Sequence, residues 1–288
     1  MKKSLKFDYR LILIVPFILL LVSLGAIANQ YIQTGDVFKR SIELKGGTVI
    51  DLSSGDRFDV VAIEDVLKQS YSEFSVRETR SFDGYRISIN MGSEVNSTEV
   101  LTKLTGAGID TSGSSVEQIG PSLGESFWAQ AQLGMVLAFI FMGIIVFIIF
   151  RKFVVSSAVI MSAVFDIIMT LGFMQILGIE LSMAGFAAIL MLIGYSVDTD
   201  IMLSSRLMRD ETESTKENLH EKMIHALKTG LAMTLTTIGA LLVLIIMPIS
   251  PVLTEIASIL LIGLVFDIIN TWLMNSTVLR MYIEGKWK

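Results

Sequence analysis

Two aspartates and an arginine stand in a stretch where an apolar span would tolerate them only for a reason. Residues 194–206 read GYSVDTDIMLSSR, so Asp198 and Asp200 interrupt an apolar run that starts at Met183, and Arg206 follows. An ionised aspartate near the bilayer centre costs about 3 kcal/mol on insertion scales. Carboxylates at that depth therefore face a protein interior or a wet pathway, where they can take up and release protons. Arg206 can either partner them or snorkel to the headgroups from the end of the helix. The spacing makes Asp198, Asp200 and Arg206 the candidate coupling set and leaves open which aspartate titrates.

Other polar residues share this depth. Asp166 lies near the centre of one later apolar run and Asp267 near the centre of another. Ser162, Asp166 and Thr170 are four apart and form one stripe on a helix. Counted in from the same side, Thr234, Thr236 and Thr237 reach the depth of Asp198 and Asp200, as do Asn270, Thr271 and Asn275. Asp166, Asp267, Thr234, Thr237 and Asn270 are thus expected to support the coupling set, either as relay members or as helix glue. Polar contacts in a membrane contribute about 0.6 to 2 kcal/mol each, so glue is a real alternative. The same oxygens would suit Na⁺ as well as a proton. An aspartyl protease is not expected, because Asp198 and Asp200 point away from each other on one helix and no Gly-x-Gly-Asp motif is present. The chain is read as no enzyme, with no cofactor and no resident metal; His220 and His225, five apart on a polar helix, read as solvated.

These residues need helices to hold them. Mean hydropathy is +0.64, with 52% hydrophobic and 18% charged residues, which marks an α-helical polytopic membrane protein. Apolar runs cover residues 11–28, 133–150, 154–177, 183–203, 231–247 and 256–278, each near the ~20 residues that cross a bilayer. Lys2, Lys3, Lys6, Arg10, Arg151, Lys152, the 206–228 loop and the tail with Arg280, Lys286 and Lys288 carry the positive charge on one side. The connections 178–182 and 248–255 carry none. By the positive-inside rule both termini are cytoplasmic, in a multi-pass cell-membrane protein bathed in lipid. The net charge of -5 is concentrated in the segment between spans one and two, which excludes nucleic acid as an expected partner. With no cysteine there is no disulfide and no thiolate chemistry.

The chain divides into 1–28, tail and first span; 29–127, an outside α+β domain; 128–206, spans two to four; 207–229, a cytoplasmic helix; and 230–288, the last two spans and tail. In the outside domain, 41–52 alternates like a strand interrupted by Gly46 and Gly47. Residues 58–70 have helical spacing, and 74–80 and 85–91 read as strands joined by hairpin chemistry at Phe82-Asp83-Gly84. Residues 97–105 suit a helix stopped by Gly106 and Gly108, and 115–119 a last strand. The order β-α-β-β-α-β is the ferredoxin-like pattern. In the 207–229 loop, Met208, Leu219, Met223 and Leu227 define one apolar face, expected to lie along the membrane surface.

Three stretches resemble one family. Gly194-Tyr195-Ser196, followed by acidic residues and Arg206, resembles the fourth-span motif of the SecF family, the smaller half of SecDF protein-export complexes. Lys45-Gly46-Gly47-Thr48 is similar to its Gly-Gly motif, and the stretch from Ile119 through Gly120, Pro121 and Ser122 to Gly124 to its Gly-Pro motif. Where bacterial members read Asn-Asp-Thr, this chain has Asp198-Thr199-Asp200, which resembles the archaeal version. The resemblance implies a half-transporter of the RND superfamily with a SecD partner and a SecY-type channel. A proton gradient would drive the outside domain to help draw the translocating polypeptide across. An RND-type exporter of small molecules or lipids is the alternative.

Overall fold

The computed structural model describes residues 12–71, 74–81, 84–208 and 216–285. The basic residues of the amino terminus, Phe82, Asp83, Lys286 and Lys288 lie outside the described residues. Among the described residues, six helices are long and apolar enough to cross a membrane. They are α1 (Ile14–Thr34), α5 (Pro121–Phe150), α6 (Phe153–Ile176), α7 (Met183–Met208), α8 (Lys216–Ile246) and a last span running from α9 (Pro251–Ile269) through a π-helical turn (Asn270–Asn275) into α10 (Ser276–Ile283).

Their burial is unequal. The helices α6 and α7 have more than half of their apolar window buried (61% and 56%), against 17%, 11% and 17% for α1, α5 and α8. The interior is therefore built by α6, α7 and the last span, and the other helices flank it. Leu171, Met174, Ile189, Leu192, Ile193, Leu260 and Leu264 fill one buried cluster among these helices. Close backbone approach keeps the seams tight: a Cβ on Gly172 would fall 2.4 Å from the Ser23 side chain. Helix α5, at 30 residues, is about 45 Å long and exceeds the hydrocarbon thickness, so its first turns belong with the domain.

Between α1 and α5 the chain folds into the short helix α2 (Ile42–Lys45), β1 (Gly47–Ser54), α3 (Val60–Lys68), β2 (Phe74–Ser81), β3 (Gly84–Met91), α4 (Ser97–Gly106) and β4 (Ser115–Ile119). The sheet order is β2-β3-β1-β4, all antiparallel, which is the ferredoxin-like topology expected from the element order. Alternation along the strands sends Ile50, Leu52, Ile87, Ile89 and Met91 to one face. There they pack with Ile63, Leu67, Val100 and Leu104 from α3 and α4. Asp59 and Asn96 cap the two helices by accepting the backbone N–H groups of Ala62 and Thr98.

Two expectations change. Residues 41–45 form a helical turn rather than the start of a strand. Ile42 and Leu44 are both buried, and Gly46, at φ +82°, ends the turn before β1 begins at Gly47. The separate surface helix over 207–229 is, from residue 216 onward, the first part of α8. Its apolar face turns to protein rather than lipid: Leu219 and Ala226, with Met223, pack against Leu203, Leu207 and Leu279.

The second face of the sheet looks onto the span ends. Glu180, in the turn between α6 and α7, is buried there. It pairs with Lys39 at 3.2 Å and Arg77 at 3.9 Å and accepts from Ser75 Oγ and Asn90 Nδ2, both at 3.4 Å. Met183 N donates to Glu43 at 2.8 Å, and Arg40 bridges in parallel to Leu181. The domain is thus fastened to the bundle at one end, which fixes the direction in which depth is measured below.

Candidate functional site

The site is built by four-residue spacing on three helices that face one another. On α6 the stripe is Ser162, Asp166 and Thr170; on α7 it is Ser196, Asp200 and Ser204. On the last span Asp267, Thr271 and Asn275 follow the same spacing, with Asn270 beside them. All of them are buried. The π turn carries Asn270, Thr271 and Asn275, where one wider helical turn re-aims the polar groups; such turns gather at functional sites.

Asp166 is satisfied at both oxygens. Ser196 Oγ donates to its Oδ2 at 2.5 Å and Asn270 Nδ2 to its Oδ1 at 2.6 Å. Asp200 is satisfied at one only: Thr271 Oγ1 at 2.8 Å and Asn275 Nδ2 at 2.7 Å both reach its Oδ1, and Oδ2 has no protein partner among the described residues. Asp267 likewise meets Thr271 Oγ1 at 3.1 Å through Oδ1 and leaves Oδ2 free. One hydroxyl therefore lies between two carboxyl groups. It has a single proton to donate, so both contacts are satisfied only when one carboxyl is protonated and donates to the threonine oxygen. None of the ion pairs among the described residues reaches any of the three aspartates. Three ionised carboxylates without a cation would be prohibitively unfavourable there, so the geometry favours a shared proton.

The residues singled out from sequence divide clearly. Asp166, Asp267, Asn270 and Asp200 come together. Asp198, two positions from Asp200, is exposed on the other side of α7 with Gly194 and Tyr195. Thr234 and Thr237 share the depth but not the site, since their hydroxyls donate to Gly230 O and Met233 O of their own helix. Arg206 is exposed and donates from Nη1 to the carbonyl of His225 at 3.1 Å, tying α7 to α8 rather than entering the cluster. Ser196 holds a carboxylate that its motif alone does not reveal. Asn275 was legible from its depth, whereas Ser204 was legible only as a continuation of the four-residue stripe.

The two glycine motifs meet. A Cβ on Gly46 would lie 2.6 Å from Pro121 Cα, and one on Gly124 would lie 2.5 Å from Gly46 N. A Cβ on Gly47 would fall 2.5 Å from Met91 O. Gly120 precedes Pro121, which occupies the first turn of α5 where its missing N–H costs nothing. The entry to the sheet and the entry to α5 are thereby locked backbone to backbone.

Comparison with known proteins agrees with this architecture. Residues 99–285 match the family model described as protein export membrane protein SecD/SecF, C-terminal. The chain is 39% identical over 285 residues to the protein-export membrane protein SecF of Methanocaldococcus jannaschii, covering 96% of each chain. It is 36% identical over 291 residues to that of Pyrococcus furiosus, covering 99% of this chain and 96% of the other. Among solved structures, SecDF, a translocon-associated membrane protein, from Thermus thermophilus shares the fold with a TM-score of 0.76 at 20% identity. The match covers 96% of this chain but 38% of the SecDF chain. With the family model matched over more than half its length and full-length relatives above 30% identity, the chain belongs to the SecD/SecF family of protein-export membrane proteins.

Proposed function

We propose that this chain is the SecF-type half of a SecDF-like motor. It would act with a SecD partner beside a SecY-type channel in the cell membrane, with both termini cytoplasmic. Downhill proton movement through the last span and α7 would shift the outside domain and so help draw exported polypeptide across. One observation carries the reading: Thr271 sits between Asp200 and Asp267, a buried pair whose contacts to one hydroxyl favour a shared proton and whose Oδ2 atoms have no protein partner among the described residues. Asp166, satisfied by Ser196 and Asn270, is the fixed member that orients the helices. The fold likeness to SecDF, of which this chain covers 38%, supports a second and larger half as partner. The joint between the two glycine motifs and the Glu180 contacts give the domain two separate attachments to the spans.

The test uses membrane vesicles that retain the natural partners. Stimulation of export should disappear when an uncoupler collapses the proton gradient and should persist when sodium is replaced by another monovalent cation. Stimulation that survives the uncoupler and falls with sodium removal would transfer the role to Na⁺. Insensitivity to both would leave a passive scaffold.

A further inference from the structure

Basic side chains gather at the membrane boundary on the domain side, although the segment between α1 and α5 is acidic overall. Lys39, Arg40 and Lys45 follow closely on the end of α1 at Thr34. Lysine and arginine beside a span collect on the cytoplasmic side, and the proposed orientation puts these three on the other. Depth places them among headgroups. Helix α1 has 21 residues and is about 31 Å long, close to the ~30 Å of the hydrocarbon core. Its last turns, with Gln30 and Thr34, therefore reach the boundary. Tyr31 is 57% exposed there, and Trp128 stands on α5 just before the apolar run that begins at Leu133. Aromatic residues so placed form the belt of a membrane interface. The Arg40 guanidinium lies 5.5 Å from the centre of the Trp128 ring, which ties the basic stretch to that level.

A cavity of about 550 Å³ opens between the end of α1, the α2 turn and the start of β2, and all three cations line it. Gln30, Thr34 and Ser93 add an amide and two hydroxyls to its wall. Two of the cations are matched: Lys39 pairs with Glu180 at 3.2 Å and Arg40 with Asp36 at 2.8 Å. Lys45 is exposed and joins no ion pair among the described residues. The wall thus carries one positive charge in excess, and its ammonium and guanidinium groups keep N–H donors to spare. A phosphodiester brings one negative charge and oxygens that accept charge-assisted hydrogen bonds.

We propose that this cavity binds the headgroup of an anionic phospholipid from the leaflet on the domain side, with Lys45 as the charge that selects it. The phosphate is met by Lys45 and by the remaining N–H groups of Lys39 and Arg40. The acyl chains enter the leaflet beside α1, where Leu21 and Leu24 are exposed. A headgroup held there touches the end of α1, the α2 turn and the Glu180 pairing at once, so it braces the domain against the spans. Nothing in this site depends on the aspartate cluster or on proton coupling.

The chain has no cysteine, so Ser93→Cys places its sole thiol on the cavity wall. The complex is purified with its natural partner in mild detergent, and the rate at which this chain reacts with a neutral maleimide reports whether the cavity is filled. Dioctanoyl phosphatidylglycerol should slow the reaction saturably, whereas dioctanoyl phosphatidylcholine and sodium phosphate should not. Adding Lys45→Gln should raise the half-saturating concentration about fivefold, the share of one basic residue at an anionic surface. Lys68→Gln, which removes an exposed lysine outside the cavity, should leave it unchanged. Equal slowing by phosphatidylcholine, or no slowing by any of the three, would overturn the site. Slowing by sodium phosphate alone would overturn the lipid and assign the cavity to a free anion. Unchanged protection in Lys45→Gln would overturn the charge match, and stronger protection by polyglutamate would overturn the lipid in favour of an acidic polypeptide.

Discussion

Replacing Asp200 by Asn should stop proton-driven export and leave the fold standing, whereas Asp198→Asn should leave both export and fold intact. The structure supplies the magnitudes. Asn at 200 retains an oxygen at the Oδ1 position, so the contacts from Thr271 at 2.8 Å and Asn275 at 2.7 Å both survive. The new NH₂ occupies the unpartnered Oδ2 position, a cost of about 1 to 3 kcal/mol if that position is dry. Loss of a buried carboxyl that no cation neutralises offsets part of it. The net change should stay within about 2 kcal/mol, or a melting shift of no more than about 4 to 8 °C for a chain of this size. Asp200→Ala is the informative contrast: Thr271 keeps Asp267 at 3.1 Å, but Asn275 loses its acceptor, adding about 1 to 3 kcal/mol. Asp198 is exposed, so its variant should melt within about 0.5 kcal/mol of the parent. The assay is transport of a reporter preprotein into inverted vesicles, with thermal unfolding of the purified complex as the folding control. Export lost in Asp198→Asn and normal in Asp200→Asn would refute the assignment.

Asp166→Asn should cost about 1 kcal/mol, since one amide replaces two acceptor oxygens for Ser196 and Asn270, and should show as a lower melting temperature with export largely kept. Gly124→Ala would place a methyl 2.5 Å from Gly46 N, where backbone meets backbone, and should destabilise by about 1 to 3 kcal/mol or more, read as reduced accumulation and a lower melting temperature. Glu180→Gln removes the pairings with Lys39 and Arg77, both partly exposed, at a cost of about 1 kcal/mol or less each. Hydrogen exchange in β2 and β3 should then rise by about fivefold while the spans keep their protection.

Much of the scaffold was legible because its signals are local. Six long apolar runs and a βαββαβ alternation of periods survive in any tertiary context, and the structure keeps both. Depth along a helix was equally readable, and it correctly grouped Asp200 with Thr271 and Asn275. Azimuth was not. Thr234 and Thr237 have the right depth but bond to their own backbone, Thr234 buried and Thr237 half-buried, and neither joins the aspartates. Asp198 and Asp200 could have been separated by following Ser196, Asp200 and Ser204 at four-residue spacing, as was done for Asp166. The π turn left no mark in the periodicity, because a single wide turn shifts register without changing residue type. Residues 41–45 misled because an alternating pattern of five residues fits one helical turn as well as a strand, and the packing of Ile42 and Leu44 decided it.

Proton flux tests the central claim most directly. The complex, with its SecD-type partner, is reconstituted into liposomes that trap a pH-sensitive dye, and a potassium diffusion potential is imposed. Each charge that crosses gains about 2.3 kcal/mol per 100 mV, enough to drive a relay built on one buried pair. The account predicts a potential-dependent pH change with the parent and with Asp198→Asn, and none above the leak of empty liposomes with Asp200→Asn or Asp267→Asn. A flux unchanged when both Asp200 and Asp267 are replaced would contradict it.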